Sequence, residues 1–145
     1  VFGDSWPIVP GAASRASGRI ELLHFAPRRW LAPNPPPELI ARIDSHARQG
    51  RATVVEVEGN WREFRIRGLG AARLLACGAD VEGILARRDC AALALFDCPV
   101  IVAREPMGFE IWVQSSYASS LREVLDRLRE RAPSEAALAS EGRRK

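Results

Sequence analysis

The stretch CAALALFDCPVIVAREPMGFEIWVQ, residues 90–114, reads as three consecutive strands. Cys90–Phe96 and Pro99–Arg104 are apolar runs joined by Asp97-Cys98, and Glu105-Pro-Met-Gly108 carries the chemistry of a second turn. After that turn Phe109, Ile111 and Val113 alternate with Glu110, Trp112 and Gln114, the period of a half-buried strand. Strands joined this directly pair antiparallel, because a parallel pair needs a crossover of about a dozen residues or more. The stretch predicts an antiparallel sheet and disfavours a doubly wound parallel one.

Downstream, from about Ser116 to Arg131, Tyr117, Leu121, Val124, Leu125 and Leu128 fall on one helical face, and Arg, Asp and Glu cover the other. Upstream, Gly68 to Gly78 reads as a helix that buries Leu69, Leu74 and Leu75, with Gly78 placed as a left-handed cap. Before it, Val55 and Val57 alternate with Glu56 and Glu58, Gly59-Asn60 supplies a turn, and Phe64 and Ile66 alternate with Glu63, Arg65 and Arg67. That pattern predicts a β-hairpin. Farther back, Arg19–His24 and Trp30–Leu31 are short extended pieces. Asn34-Pro-Pro-Pro37 then starts a helix with Leu39, Ile40, Ile43 and Ala47 at helical spacing and Gly50 just past its end. The order is β-β-α-β-β-α-β-β-β-α, an α+β domain of antiparallel hairpins with three helices on one side. Residues 1–18 read as an N-terminal arm, 19–132 as a single domain and 133–145 as a mobile tail. Trp6, in the arm, is expected to dock on this domain or on a partner.

A chain of 145 residues, 47% apolar, is one domain's worth of globular protein, and no apolar run approaches the ~18 residues of a membrane span. Two His, three Cys and one Tyr are little material for metal or nucleophilic chemistry. Lys145 is the only lysine, and the arginines are interleaved with acids instead of forming a stripe, which argues against a nucleic-acid partner. Cys77, Cys90 and Cys98 form no C-x-x-C pair, and no secretory apolar segment opens the chain. Three buried thiols in a reducing cytoplasm, no metal and no catalytic residue are the expectation.

Gly68-Leu69-Gly70 follows a strand-like run and opens a helix, as a dinucleotide-binding loop does, but Arg73 takes the position where that loop needs Gly or Ala. Two glycines chosen for backbone geometry are the simpler reading. His24 and His46 have no Ser or Cys beside them and read as structural or solvated. Arg28-Arg29-Trp30 and Asn60-Trp61-Arg62 set an indole beside guanidinium groups, the pairing that protein interfaces favour, although each indole could also be core. Trp112 lies on the polar side of its strand and reads as a partner contact. The candidate interface residues are therefore Trp30, Trp61, Arg62, Arg73 and Trp112.

With these segments in place, the chain from about Arg28 to Arg131 resembles the gamma subunit of heterotetrameric sarcosine oxidase. Phe25-Ala-Pro-Arg-Arg-Trp30-Leu resembles that family's G-P-x-x-W-L segment. Val55-Glu-Val57, with Phe64 through Gly68-Leu-Gly-Ala71 to Gly78, resembles its V-D-V-S and L-S-G-P-A-A-x-x-L-L-x-x-G segments. Cys90, Pro99–Val102, Phe109–Val113 and Ser116-Tyr117-Ala118 through Leu125 resemble its C-A-R-T, V-P-V-L-L and F-x-L-x-V-x-R-S-Y-A segments. Ala92 and Leu93 stand where the family has basic and hydroxyl residues, and Ser115 where it has Arg. The resemblance implies a fold similar to the folate-binding domain of aminomethyltransferases. It further implies a non-catalytic role in assembly and docking beside alpha, beta and delta subunits. Those subunits would hold FAD, FMN and NAD and pass a one-carbon unit to tetrahydrofolate. Two alternatives stay open: a stand-alone folate-binding or aminomethyltransferase-like protein, and the small subunit of N-methylglutamate dehydrogenase.

Overall fold

In the computed structural model, residues 11–57 and 59–131 are described. Trp6 and the tail 133–145 lie outside them. The fold is α+β, with two antiparallel sheets and four helices among the described residues. The larger sheet contains β4 (Trp61–Arg67), β5 (Cys90–Leu95), β6 (Cys98–Glu105) and β7 (Gly108–Gln114) in the order β4-β7-β6-β5. The three runs of residues 90–114 thus form one meander, as their spacing predicts. The first turn sits one residue earlier than that spacing suggests. Leu95 pairs with Cys98, leaving Phe96 and Asp97 as the two central residues, both in the left-handed region at φ 49° and 61°. Two left-handed residues match the right-handed twist of the flanking strands, which is why two-residue hairpin loops take this form.

The hairpin expected across Gly59-Asn60 does not form. A turn is present, with the Asn60 amide donating to the Val57 carbonyl at 3.0 Å, but residues 52–57 join no strand ladder, and residue 58 is outside the described set. β4 instead pairs along its whole length with β7, from Trp61 opposite Gln114 to Arg67 opposite Gly108. That register lays Phe64 against Ile111 and Ile66 against Phe109, so β4 buries its apolar face at once, whereas Val54 and Val55 remain exposed. Gly108 permits the close approach: a Cβ there would press into the Ile66 carbonyl oxygen.

The smaller sheet contains β1 (Ala13–Ala16), β2 (Arg19–Ala26) and β3 (Arg29–Leu31) in that order. β1 corrects the sequence reading, which left these residues in an aperiodic arm. Ser17 and Gly18, both left-handed at φ 51° and 77°, make a tight turn that returns the chain onto β2. Ala and Ser have little strand preference of their own, so only this pairing reveals the strand. The small sheet is tied to the edge of the larger one through Gly11, whose carbonyl accepts from the Asp89 amide at 2.7 Å and the Cys90 amide at 3.0 Å.

Helix α1 spans Pro37–Arg48, α2 Ala71–Ala76, α3 Val81–Ile84 and α4 Ser115–Arg131. The one-turn α3 has no periodic signal in the sequence; it is set by Asp80, whose carboxylate accepts from the Gly83 amide at 3.0 Å. Helix α2 is shorter than the expected 68–78. Leu75 is buried, but Leu69 precedes the helix and is 91% exposed. Gly78 has no left-handed φ; it is small because a Cβ would sit 2.6 Å from the Phe96 ring. On α4, Leu121 and Leu125 are buried, Val124 and Leu128 half-buried, and Tyr117 exposed.

These parts form three layers. Helices α2, α3 and α4 cover one face of the large sheet, enclosing Leu75, Val81, Val102, Phe109, Ile111, Val113 and Leu121. The small sheet covers part of the other face, burying Ile20 and Leu23 against Cys90, Ile101, Ala103 and Trp112. Helix α1 stands apart, with only Leu39 buried.

Candidate functional site

The second face of the large sheet holds two of the five candidates, Trp61 and Trp112, among a group of charged residues. From β4 it receives Trp61, Glu63, Arg65 and Arg67, from β7 Glu110 and Trp112, and from the end of β6 Glu105. Trp112 is 3% exposed, so the reading of it as a partner contact is corrected. Alternation along β7 separates Trp112 from Ile111 and Val113 correctly, but the small sheet roofs that side too, and the indole becomes core. Trp61 lies diagonally beside it, half-buried in the same cluster.

The remaining candidates do not converge. Trp30 lies across from His24 in the small sheet, 39% exposed, its ring stacked on the imidazole at 4.6 Å between centroids and 18° between planes. Arg62 is exposed and donates to the carbonyls of Gly59 at 3.3 Å and Trp61 at 3.2 Å, which locks the turn before β4. Arg73 is exposed on α2. Trp112 is thus core, and the other four candidates are spread over β3, β4 and α2.

What the face does bring together is an ionic cluster that sequence reasoning missed. Arg67 donates to both Glu105 oxygens, at 2.9 and 3.3 Å, and Arg65 reaches Glu110 at 3.4 Å while also binding Glu63. Glu105 and Glu110 are buried, at 8% and 2% exposure, and lie diagonally across β6 and β7 on this face. The two carboxyls are driven apart by their surroundings. The Arg67 fork, then the Glu110 carboxyl, lowers Glu105 to about 2. Burial first, then the Glu105 carboxyl and its charge, raises Glu110 to about 7, against the pull of Arg65. The charge pattern of β4 was visible in the sequence, but its register against β7 was not.

The expectation of three buried thiols is corrected: Cys77 is exposed, while Cys90 and Cys98 are buried and poor nucleophiles. Burial, aided by the Asp89 charge, pushes Cys90 up to about 11, and burial with Asp97 raises Cys98. Cys90 spends its sulfur on the carbonyls of Ala12 and His24. His24 is 2% exposed, and both of its ring nitrogens lack a hydrogen-bond partner among the described residues. Among those residues no three His, Cys, Asp or Glu side chains gather as metal ligands, and no helix is long and apolar enough to cross a membrane.

No protein-family model matches the chain, and no curated protein matches it. Among solved structures, the fold is similar to a chain of the heterotetrameric sarcosine oxidase from Corynebacterium sp. U-96 in complex with pyrrole 2-carboxylate. The TM-score is 0.68 and the identity 20%, over 89% of this chain and 69% of that one. The likeness is therefore one of fold, and it links the three-layer α+β architecture to a chain that works inside a hetero-oligomer.

Proposed function

We propose that the chain is a non-catalytic, gamma-type subunit of a flavin-dependent, multi-subunit sarcosine oxidase, acting in assembly and docking. The fold likeness to a chain of such a heterotetramer carries this reading. The match covers 89% of this chain and 69% of that one, so the neighbour is somewhat longer than this chain. The ordered motif segments fall on β3, β4 with α2, and β5 through α4, so the resemblance is spread over both sheets.

In this reading the complex demethylates sarcosine oxidatively to glycine and passes the one-carbon unit to tetrahydrofolate in the cytoplasm. FAD, FMN, NAD and tetrahydrofolate are bound by the alpha, beta and delta subunits. Co-expression of this chain with those three subunits from the same organism tests the proposal. A stable complex that retains the chain and oxidises sarcosine is expected. A chain that stays a monodisperse monomer and never co-purifies with them overturns it. A complex that prefers N-methylglutamate reassigns the chain to the small subunit of that dehydrogenase. Quenching of the isolated chain's tryptophan fluorescence by tetrahydrofolate would favour the stand-alone alternative.

A further inference from the structure

Leu69 is 91% exposed and Met107 64%, although both are residue types that folding normally hides. They lie at the same end of the large sheet, where the amide of Gly68 donates to the Met107 carbonyl at 3.0 Å. Gly68, at φ 109°, turns the chain out of β4 just before Leu69, and Gly70 leads it into α2. The Gly-Leu-Gly sequence is thus a presenting loop: its geometry holds a leucine out into solvent beside a methionine from the β6–β7 turn. The surrounding charge has one sign. Arg73 and Arg104 are exposed and enter no ion pair among the described residues, Arg104 lying over the Phe109 ring at 5.6 Å, while Glu105, next to Arg104 in the chain, is buried and occupied by Arg67.

We infer that Leu69 and Met107 form an apolar knob, flanked by Arg73 and Arg104, that docks into an apolar pocket bordered by carboxylates on a larger subunit. This deepens the proposed gamma-type role and rests on it. A buried apolar anchor ringed by charge is the usual anatomy of an interface hot spot, and the exposed guanidinium charges, which no carboxylate among the described residues neutralises, select an acidic rim. A second copy of this chain fits less well, since it would set the same arginines against one another.

The test uses the co-expressed complex and the full chain. Leu69→Asp and Met107→Asp are exposed positions whose substitution leaves the melting temperature of the isolated chain unchanged. Each is expected to weaken association with the larger subunits at least about tenfold, and Ile40→Asp on α1 to leave it unchanged. Arg73→Glu with Arg104→Glu should weaken association and flatten its dependence on added salt. If the wild-type chain assembles and the Leu69 and Met107 variants assemble equally well, the knob is overturned and the subunit role stands. If the wild-type chain does not assemble, both fall. If the isolated chain self-associates and Leu69→Asp makes it monomeric, the occupant is a second copy and the proposed partner is wrong.

Discussion

Glu105 and Glu110 lie diagonally across adjacent strands on one face of the sheet, yet Arg67 grips only Glu105 with its two-pronged fork. Two neighbouring carboxyls are thereby sorted into a firmly ionised one and one that keeps its proton to about neutral pH.

The sorting gives the stability curve two opposed limbs. Glu110, raised from 4.5 to about 7 in the folded state, contributes stability that is complete below 4.5 and is lost as pH rises through about 7. Glu105, lowered from 4.5 to about 2, contributes stability that is present above 4.5 and is lost as pH falls toward 2. The pair therefore favours the fold most near pH 4.5. Urea midpoints measured across pH should fall between 4.5 and 7 in the wild type, and Glu110→Gln should remove that fall while keeping the acid limb. An unchanged neutral limb in the Gln variant would show that some other group sets it.

Arg67→Ala removes the group that holds Glu105 ionised. The acid limb of the same curve should move to higher pH, and the carboxyl-carbon NMR titration of Glu105 should move with it. Arg65→Ala should leave that limb nearly in place, because its ion pairs are with Glu63 and Glu110. Equal shifts in the two variants would count against the division of roles.

The Phe96-Asp97 turn and Gly78 form one packing unit. Gly78→Ala pushes a methyl into the Phe96 ring and should cost about 1–3 kcal/mol in thermal unfolding. Asp97→Gly relieves a left-handed side chain at the turn position that favours glycine and should stabilise by about 0.5 kcal/mol. A neutral Gly78→Ala would mean that the ring moves aside freely.

Trp112→Ala opens a cavity between the two sheets and should destabilise the isolated chain by about 3–5 kcal/mol. Trp30→Ala, at a partly exposed stack, should cost far less. If the two substitutions are equally mild, Trp112 does not bridge the layers.

The sequence is legible where neighbours in the chain are neighbours in space. The meander of residues 90–114 could be read because each strand pairs with the next, and α4 because its leucines recur at helical spacing. The strand partner of β4 lies far along the chain, with Arg67 opposite Gly108, and the Arg67 side chain reaches Glu105 across 38 residues; alternation carries no address for such a pairing. That is why Val55–Val57 looked like the other half of a hairpin, and why Arg65 and Arg67 read as scattered surface charge. Trp112 shows the same limit from the other side. Period 2 assigns it a face but cannot say that a second sheet, partly built from the unassuming Ala13–Ala16, will cover that face. Leu69 was misplaced because a count of helical positions started at Gly68, whereas the helix starts at Ala71.

The order β4-β7-β6-β5 leaves β4 as an outer strand, and four of its seven residues are Arg62, Glu63, Arg65 and Arg67. An unpaired edge is an open template onto which any extended peptide can add, and closely spaced charge is the common defence. The ions that tune Glu105 and Glu110 therefore also guard this rim against runaway strand addition. A chain built this way resists seeding fibrous aggregates while that edge is uncovered.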